Sequence, residues 1–447
     1  MELAGKSFFV KKTISEFRKA LYQNFIKRAD TLFNLVDALT VAGHVSSPVA
    51  LSEETPFARK FSSVYDGLEN GEMNMDDLLS MLPHCVPTDS ETIAGYKVYA
   101  TDATANEHEQ AETLPDRSVL KSNQKDPIRY GHKYSWLVRL LNFGTSWAAP
   151  VDVERIDTEM TDTQVAAFQV KELDIRDPEK KVLVADSRYA DQLFLGIFRW
   201  FQNTFALVRV ASNRVLYENP KPKPAGKKGR PSKHGKSFYL NKTHRAAERT
   251  ETFELGKQTV RVSLWQNLHF KKLADLIGSL VQVEFLKEDG TPRYKRPMWL
   301  FWTGPKDAAL PDLCRMYLWR FAIEHLFRFL KQHMGLNCNR SPNLASAQQW
   351  MWLCALAYWQ LLLVREDVKE NRPAWYPLNR HPRVKFTPYQ VQRSTLAFLW
   401  ELGAPAAKPR PAGKGAGRQK NYCPPPRSRY SVVFKSKKPQ ILPSASP

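Results

Sequence analysis

The chain has 447 residues, of which 43% are hydrophobic and 25% are charged, so it holds enough apolar side chains for two or three packed domains. This composition excludes a disordered or fibrous protein. The 66 Lys and Arg against 45 Asp and Glu give a formal net charge of +21, which indicates a polyanionic partner such as nucleic acid or an anionic membrane surface.

The excess positive charge lies in two segments rich in Pro and Gly. Residues 219–236 carry seven Lys or Arg, residues 403–447 carry ten, and neither segment contains Asp or Glu. The remainder has 49 basic and 45 acidic residues, which is the balance of an ordinary soluble protein. We therefore expect two flexible basic arms on a nearly neutral body.

The spacing of apolar residues predicts a helical N-terminal domain over residues 1–90, followed by an α/β region. Three strands in succession, then alternating helix and strand, favour a mixed sheet flanked by helices. The predicted elements are strands at 96–101, 134–142 and 147–153, a helix at 161–172, a strand at 181–185 and a helix at 190–201.

In the second half of the chain, the pattern of apolar residues predicts a β-rich block, two long helices and a Pro-rich end. Strand-like runs alternate over 203–303 around the basic loop, and helices are predicted at 312–332 and 345–364. A short helix at 389–402 precedes the basic tail, which we expect to be disordered by itself.

The sequence shows no clear membrane-spanning segment, secretory signal or cysteine motif. The longest apolar run, residues 350–364, is shorter than the roughly 20 residues that a membrane-spanning helix needs. The first residues lack the layout of a secretory signal, and the five Cys include no C-x-x-C pair. We expect a cytoplasmic protein with no membrane association, disulfide framework or zinc site.

The segment 317–331 concentrates polar groups on one face of a predicted helix. Tyr317, Arg320, Glu324 and Lys331 fall within a stripe of about 60° at 100° per residue, opposite a broad apolar face. One interpretation is a solvated stripe with an Arg320 to Glu324 ion pair. The other is a carboxylate beside a cleft that binds metal or phosphate, because an unpaired charge on a mostly buried helix is costly.

The spacing Y-x2-R-x3-E-x6-K resembles the YREK signature of a group of bacterial insertion-sequence DDE transposases. This resemblance implies two aspartates at strand ends that join Glu324 in holding two Mg²⁺ ions, for which Mn²⁺ can substitute. Asp102 and Asp186 each follow an apolar strand and are the chosen pair. Where better-known members have D-R-E-A-D, this chain has Asp186-Ser-Arg-Tyr-Ala-Asp191, so Asp191 is the fallback.

The resemblance also implies an RNase H-like core interrupted by a β-rich insertion between the second Asp and the Glu. Asp102 and Asp186 are 84 residues apart, and Asp186 and Glu324 are 138 apart, which is too long for a bare core. Asp157 and Asp162 are expected to be turn or capping residues. The predicted domains are the helical start at 1–90, the core at 91–202 and 306–370, the insertion at 203–305, and a C-terminal helix and tail at 371–447.

Several residues are predicted to contact DNA. By resemblance, Tyr317, Arg320 and Lys331 hold phosphates near the cleavage point. The basic loop contains Gly-Arg-Pro and is either a minor-groove peptide or a solvated surface loop; its candidate residues are Lys227, Lys228, Arg230 and Lys233. Trp265, Trp299 and Trp302 are candidates for stacking a flipped base, although strand tryptophans commonly belong to the core.

The roles of His132 and of the basic tail each have two interpretations from the sequence. His132, at a strand start, lies either near the metals or at an ordinary strand end. The basic tail either follows a phosphate backbone or only solubilises the chain.

These residues predict a DNA transposase that acts on double-stranded DNA, with terminal inverted repeats and target DNA as substrates. A homodimer on DNA is expected because two ends must be joined in one complex. Cleavage through a hairpin, cut-and-paste movement and association with the nucleoid are implied by the resemblance alone. The alternatives are a DNA-binding relative without activity and an RNase H-like structure-specific nuclease.

Overall fold

The computed structural model describes residues 2–120, 128–222, 229–242, 245–369, 375, 386–410, 417 and 419–434, and the side chains from residue 13 onward. Lys227 and Lys228 of the basic loop lie outside the described residues. In the described part of the chain, the helices are too short or too polar to span a bilayer.

Helices form the N-terminal end of the described chain, separate its groups of strands and precede its C-terminal tail. They are α1 (Glu2–Asn24), α2 (Ala29–Val41), α3 (Phe61–Asn70), α4 (Met75–Met81), α5 (Asp162–Arg176), α6 (Gln192–Leu195), α7 (Leu310–Trp319), α8 (Phe321–Gln332), α9 (Leu344–Val364) and α10 (Pro388–Leu402). Capping boxes begin two of them, with Thr161 and Gln164 at α5 and Thr387 and Gln390 at α10.

The strands form a small N-terminal pair and one large sheet. They are β1 (Phe25–Lys27), β2 (Glu72–Met73), β3 (Lys97–Glu107), β4 (Ser118–Leu120), β5 (Arg129–Leu140), β6 (Ala148–Ile156), β7 (Lys181–Ala185), β8 (Thr204–Val210), β9 (Val215–Glu218), β10 (Ser237–Tyr239), β11 (Arg249–Leu255), β12 (Gln258–Phe270), β13 (Leu273–Phe285) and β14 (Met298–Trp302).

The centre of the large sheet is the mixed arrangement that the sequence predicts for an RNase H-like core. Strand β5 pairs antiparallel with β3 and β6, while β7 pairs parallel with β3 and β8. Every residue of β7 is buried, as expected of a parallel strand covered on both faces. The mixed α/β fold flanked by helices is therefore confirmed.

The β-rich segment continues this sheet instead of forming a separate one. Strand β14 pairs antiparallel with β8, and β13 and β12 follow in order. The sequence places β8 in the predicted insertion, whereas in the fold it pairs with core strand β7. The predicted domain boundaries stay a prediction.

Three element bounds differ from the prediction. The strand expected to end at residue 101 continues to Glu107, because β5 pairs with it along that whole length. The helix expected over 312–332 is divided at Arg320 into α7 and α8. The helix expected over 190–201 is a single α-turn followed by the 3₁₀ turn Gly196–Arg199.

The N-terminal helices pack on α9, which is buried over most of its length and apolar on all sides. The buried Arg18 guanidinium joins the two by donating to Asp37 on α2 and to Gln360 on α9. Gln360 also donates to Asp37 Oδ1 at 2.9 Å and to Thr40 at 3.0 Å, so these buried polar side chains have partners.

Candidate active site

Asp102 and Asp186 occupy equivalent positions on neighbouring strands. The parallel register of β3 and β7 pairs Lys97 with Lys181 and Ala100 with Val184, an offset of 84 residues that also relates the two aspartates. Parallel neighbours lie about 4.8 Å apart, so both carboxylates emerge at the same level of the sheet. Asp102 lies within β3, whereas Asp186 directly follows β7 as predicted.

The Asp102 carboxylate is in an unfavourable electrostatic environment. Burial raises its pKa to about 6, and the negative charge of Asp186 adds to this effect. The backbone N–H of Ala103, 2.8 Å from Oδ1, and the guanidinium groups of Arg320 and Arg188 act in the opposite direction. A cation bound between the two aspartates would therefore be stabilised by the repulsion that it relieves.

Arg320 connects Asp102 to Glu324. Its Nη1 lies 3.4 Å from Asp102 Oδ2, and its Nη2 donates to Glu324 Oε1 at 2.6 Å. The ion pair from i,i+4 spacing is thus present, although it is largely buried instead of solvated: 11% of the Arg320 side chain is exposed. The division between α7 and α8 falls at this residue, where Arg320 N–H donates to Tyr317 O and closes a tighter turn.

Tyr317 and Lys331 occupy different surroundings. The Tyr317 hydroxyl is buried, and its pKa is raised by burial while Arg320 and Arg209 oppose that shift. Lys331 is half-buried and interacts electrostatically with Glu107, about 17 Å along β3 from Asp102 at 3.4 Å per residue. The helix stripe therefore extends away from the aspartates, and only its first part adjoins them.

The donor chemistry of this site fits a hard divalent cation only in part. Asp102 and Asp186 offer carboxylate oxygens at one level of the sheet, which is the ligand type that Mg²⁺ prefers. Glu324 is held by Arg320, and within the described residues no three His, Cys, Asp or Glu side chains are grouped closely enough to bind one metal ion. Glu324 would have to exchange its arginine partner to join the aspartates.

Comparison with known families gives a match for this region. The family model described as "Transposase DDE domain" matches residues 92–360, which is more than half of the chain and includes Asp102, Asp186 and Glu324. This chain belongs to the DDE transposase family. No curated protein matches the chain. DDE transposase domains act on DNA and generally use divalent metal ions.

Asp191, the fallback for the second aspartate of the DDE domain, is engaged elsewhere. Its Oδ1 accepts from the backbone N–H groups of Leu193 and Phe194, and its Oδ2 accepts from Thr163 at 2.9 Å. These bonds make it the N-cap of α6. The geometry favours Asp186, although the catalytic assignment stays a prediction.

Several residues beside the candidate carboxylates had no role in the sequence-based prediction. Arg188 donates its backbone N–H to Asp186 and pairs with Asp162 through its side chain. Tyr189 is fully buried; burial raises its pKa, and Asp102, Asp162 and Asp186 add to the shift. The segment Asp186-Ser-Arg-Tyr contains both residues, so their position directly after the strand was an available signal.

Arg209 continues the same row on the next strand. Strand β8 pairs with β7 at an offset of 23 residues, which aligns Arg209 with Asp186. Its side chain is exposed and forms no ion pair with a described carboxylate, so it is available for a phosphate. No pattern in the sequence pointed to Arg209, because it lies inside a strand whose partner was not predicted.

Asp157 and Asp162 differ in their roles. Asp157 accepts from the backbone N–H groups of Glu159 and Met160, as a turn residue does. Asp162 is the first residue of α5 and not its cap; it forms ion pairs with Arg188 and, at 3.5 Å, with Lys133. This correction arises because Thr161 is the N-cap.

The predicted stacking residues lie in the core of the DDE domain. Trp265 is 5% exposed, and Trp299 and Trp302 are more deeply buried. The indole N–H of Trp302 donates to Pro305 O, and that of Trp265 to Arg245 O. None of the three presents a ring face to solvent, which favours their interpretation as core residues.

The other predicted contacts are distributed around the domain. Arg230 and Lys233 are exposed in the basic loop. His132 is buried opposite Asn106 and bonds Pro115 O at 2.9 Å, four residues along β3 from the level of Asp102. It is therefore an internal strand residue and not a neighbour of the carboxylates.

Proposed function

We propose that this protein is a DNA transposase that cleaves the ends of its element and joins them to target DNA. The observation that carries the proposal is the row formed by Asp102 and Asp186 on adjacent parallel strands, with Arg320 connecting Asp102 to Glu324. Carboxylates that hold metal ions beside a fixed guanidinium are suited to a phosphodiester. Its oxygens gain negative charge during attack, and these cations offset that charge.

Each side chain has a distinct role in this proposal. Asp102, Asp186 and Glu324 would hold two Mg²⁺ ions, or Mn²⁺ in their place. When bound, these ions supply activation of the attacking oxygen and neutralisation of the leaving one. Arg320 positions Asp102 and Glu324 before DNA binds and presents a cation to the phosphate. Arg209, on the opposite side of Asp186, binds a neighbouring phosphate.

The finer proposal is that the protein belongs to the YREK-signature branch of bacterial insertion-sequence transposases. Support comes from Tyr317, Arg320, Glu324 and Lys331 at the signature spacing, and from the β-rich segment between Asp186 and Glu324. On this basis we propose terminal inverted repeats as substrate, a homodimer that holds two ends, cut-and-paste movement, and action at the nucleoid in the cytoplasm.

The test is cleavage of the element's flanking genomic DNA by the purified full-length protein in Mg²⁺. Wild type is expected to release 3′-hydroxyl breaks at the inverted repeats, while Asp102→Asn, Asp186→Asn and Glu324→Gln bind the same DNA without nicking it. Asp191→Asn is the matched control, because Asn preserves the cap and should preserve nicking.

Other outcomes favour the alternatives. DNA binding without nicking by wild type supports an inactive DNA-binding relative. Equal cleavage of branched DNA or random duplex supports a structure-specific nuclease. Loss of nicking in Asp191→Asn but not in Asp186→Asn would reassign the second aspartate.

A further inference from the structure

Part of the C-terminal tail lies along the edge of the catalytic sheet at β4. The backbone N–H of Val433 donates to Arg117 O at 2.7 Å, and that of Tyr430 donates to Glu112 O at 2.7 Å. Val433 also forms a parallel bridge with Ser118. This single bridge is a short form of strand addition, in which the main chain of one segment pairs with an exposed sheet edge.

A buried guanidinium fixes this segment in place. Arg117 is 3% exposed, and its Nη2 donates to Tyr430 O at 3.1 Å. Its Nη1 donates to Glu109 O at 2.7 Å and to His108 O at 3.3 Å. One charged side chain therefore joins the tail to the loop before β4, so the position of the tail is specified by more than its own backbone.

The docked segment places Phe434 in the wall of a groove of about 500 Å³. The groove adjoins the candidate active site, because Arg188 lines it and donates its backbone N–H to Asp186 Oδ1 at 2.8 Å. Its polar lining comes from two cations, two carboxylates and three hydroxyl groups, namely Lys133, Arg188, Asp162, Asp191, Ser118, Thr161 and Thr163. The tail thus completes a surface that begins at the carboxylates.

This lining has the chemistry of a site for single-stranded nucleic acid. The Phe434 side chain is 72% exposed, so its ring is available to stack with a base. Lys133 and Arg188 share the single carboxylate of Asp162, which leaves cationic N–H groups for a phosphate. Asp191, also in the groove, already accepts from two backbone N–H groups and Thr163. Aromatic rings beside cations bind single strands with little sequence preference.

We propose that Phe434 stacks on a base of a single DNA strand next to the cleavage point, with the adjoining phosphate bound by Lys133 and Arg188. This inference rests on the proposed function, since it takes the occupant of the groove to be the DNA that the carboxylates cut. It assigns to the tail a role in positioning substrate, at a site distant in sequence from the buried tryptophans.

The experiment measures binding of an eight-nucleotide oligo(dT) that carries one 2-aminopurine to full-length protein in metal-free buffer. Phe434→Ala is expected to weaken binding about 5-fold to 100-fold and to abolish quenching of the 2-aminopurine fluorescence. Phe434→Trp should restore both. Tyr422→Ala is the matched control, because Tyr422 is an exposed tail aromatic outside the groove and its loss should change affinity less than about 2-fold.

Docking of the tail is tested separately by two proline variants. Val433→Pro removes a donor to Arg117 and is expected to reproduce the loss seen with Phe434→Ala. Val432→Pro should bind like wild type, because no hydrogen bond from its backbone N–H to a described residue is present. Equal losses in both variants would argue against strand addition as the device that positions Phe434.

The remaining outcomes separate this inference from the proposed function. Unchanged binding by Phe434→Ala overturns the inference. Tighter binding by this variant also overturns it, because it would show that the tail covers the groove and competes with DNA. Wild type that binds the probe through Phe434 but nicks no DNA contradicts the proposed function alone. If wild type nicks inverted repeats but Phe434→Ala binds the probe as wild type does, only the stacking site is contradicted.

Discussion

Two aspartates on the same sheet, the half-buried Asp102 on β3 and the buried Asp152 on β6, show what distinguishes a candidate catalytic carboxylate. Burial raises the pKa of both, to about 6 for Asp102 and about 7 for Asp152. Asp102 lies opposite Trp136, on the face covered by α8, and Asp152 lies opposite Leu137, on the other face.

The difference lies in the neighbours. Asp102 has a second carboxylate at its own level, Arg320 at 3.4 Å, and an open groove beyond Asp186. Asp152 faces Gln169 and Leu173 of α5; the nearby Glu154 carboxylate adds to the rise of its pKa, while a hydrogen bond with Gln169 and the charge of Arg176 oppose that rise. Burial raises the pKa in both cases, and Asp102 differs in having a second carboxylate on the adjacent strand and an arginine that it shares with Glu324.

The rate of DNA nicking by variants of Asp102 and Asp152 should show the largest difference between the two residues. Asp102→Asn is expected to reduce Mg²⁺-dependent nicking by at least about 100-fold, because under the proposed function it removes a charged metal ligand next to the reacting phosphate. Asp152→Asn should nick at the wild-type rate. The measurement is the initial rate on an inverted-repeat substrate, and equal losses in both variants would show that the two sites do not differ in function.

Arg320 should matter next most. Arg320→Ala leaves Asp102 and Glu324 without their shared partner, so we expect nicking to fall by about 10-fold to 100-fold while DNA binding changes little. Arg320→Lys should recover part of the rate, since lysine keeps the charge but not two separate donor groups. Single-turnover nicking with saturating protein distinguishes this result from weaker binding.

Substitution of Asp152 should increase the stability of the fold at high pH, whereas the substitutions of Asp102 and Arg320 should reduce activity. Because its folded pKa is above the ordinary value, the folded protein binds more protons than the unfolded chain between about pH 4 and pH 7, and stability falls as pH rises through that window. Asp152→Asn removes this loss, so it should stabilise the protein at pH 8 by at most about 4 kcal/mol and leave it unchanged near pH 3. Urea unfolding at the two pH values measures the effect.

The smallest expected effect is stabilisation by metal. At Mg²⁺ concentrations about 100 times the dissociation constant, binding to the folded state adds about 2.7 kcal/mol, which corresponds to a few degrees in Tm. Wild type and Asp152→Asn should show this shift, whereas Asp102→Asn and Asp186→Asn should not. A shift that persists in both Asp102→Asn and Asp186→Asn would place the ion elsewhere.

Local patterns predicted the parts of the site that depend on nearby residues. Strand β7 and the aspartate directly after it follow from a short buried apolar run. The Arg320 to Glu324 pair follows from helical spacing. The family assignment confirms the resemblance at the level of DDE transposases, and the YREK branch stays a prediction.

The rest depended on pairing between distant segments, which periodicity does not report. The extension of β3 past Asp102 is imposed by β5, and the alignment of Arg209 with Asp186 is imposed by the register of β8. The divided helix has a tertiary cause as well, since Arg320 reaches across to Asp102. The docked tail pairs residues more than 300 positions apart, beyond any local signal.

The packing of the N-terminal helices on α9 has a consequence for synthesis of the chain. Arg18 and Gln360, which bond across this contact, are 342 residues apart. At about 5 to 20 residues per second, the ribosome needs roughly 17 to 68 s to make the second after the first. During that interval the side of α2 that packs on α9 has no native cover, so the nascent chain should depend on chaperones until α9 has been made.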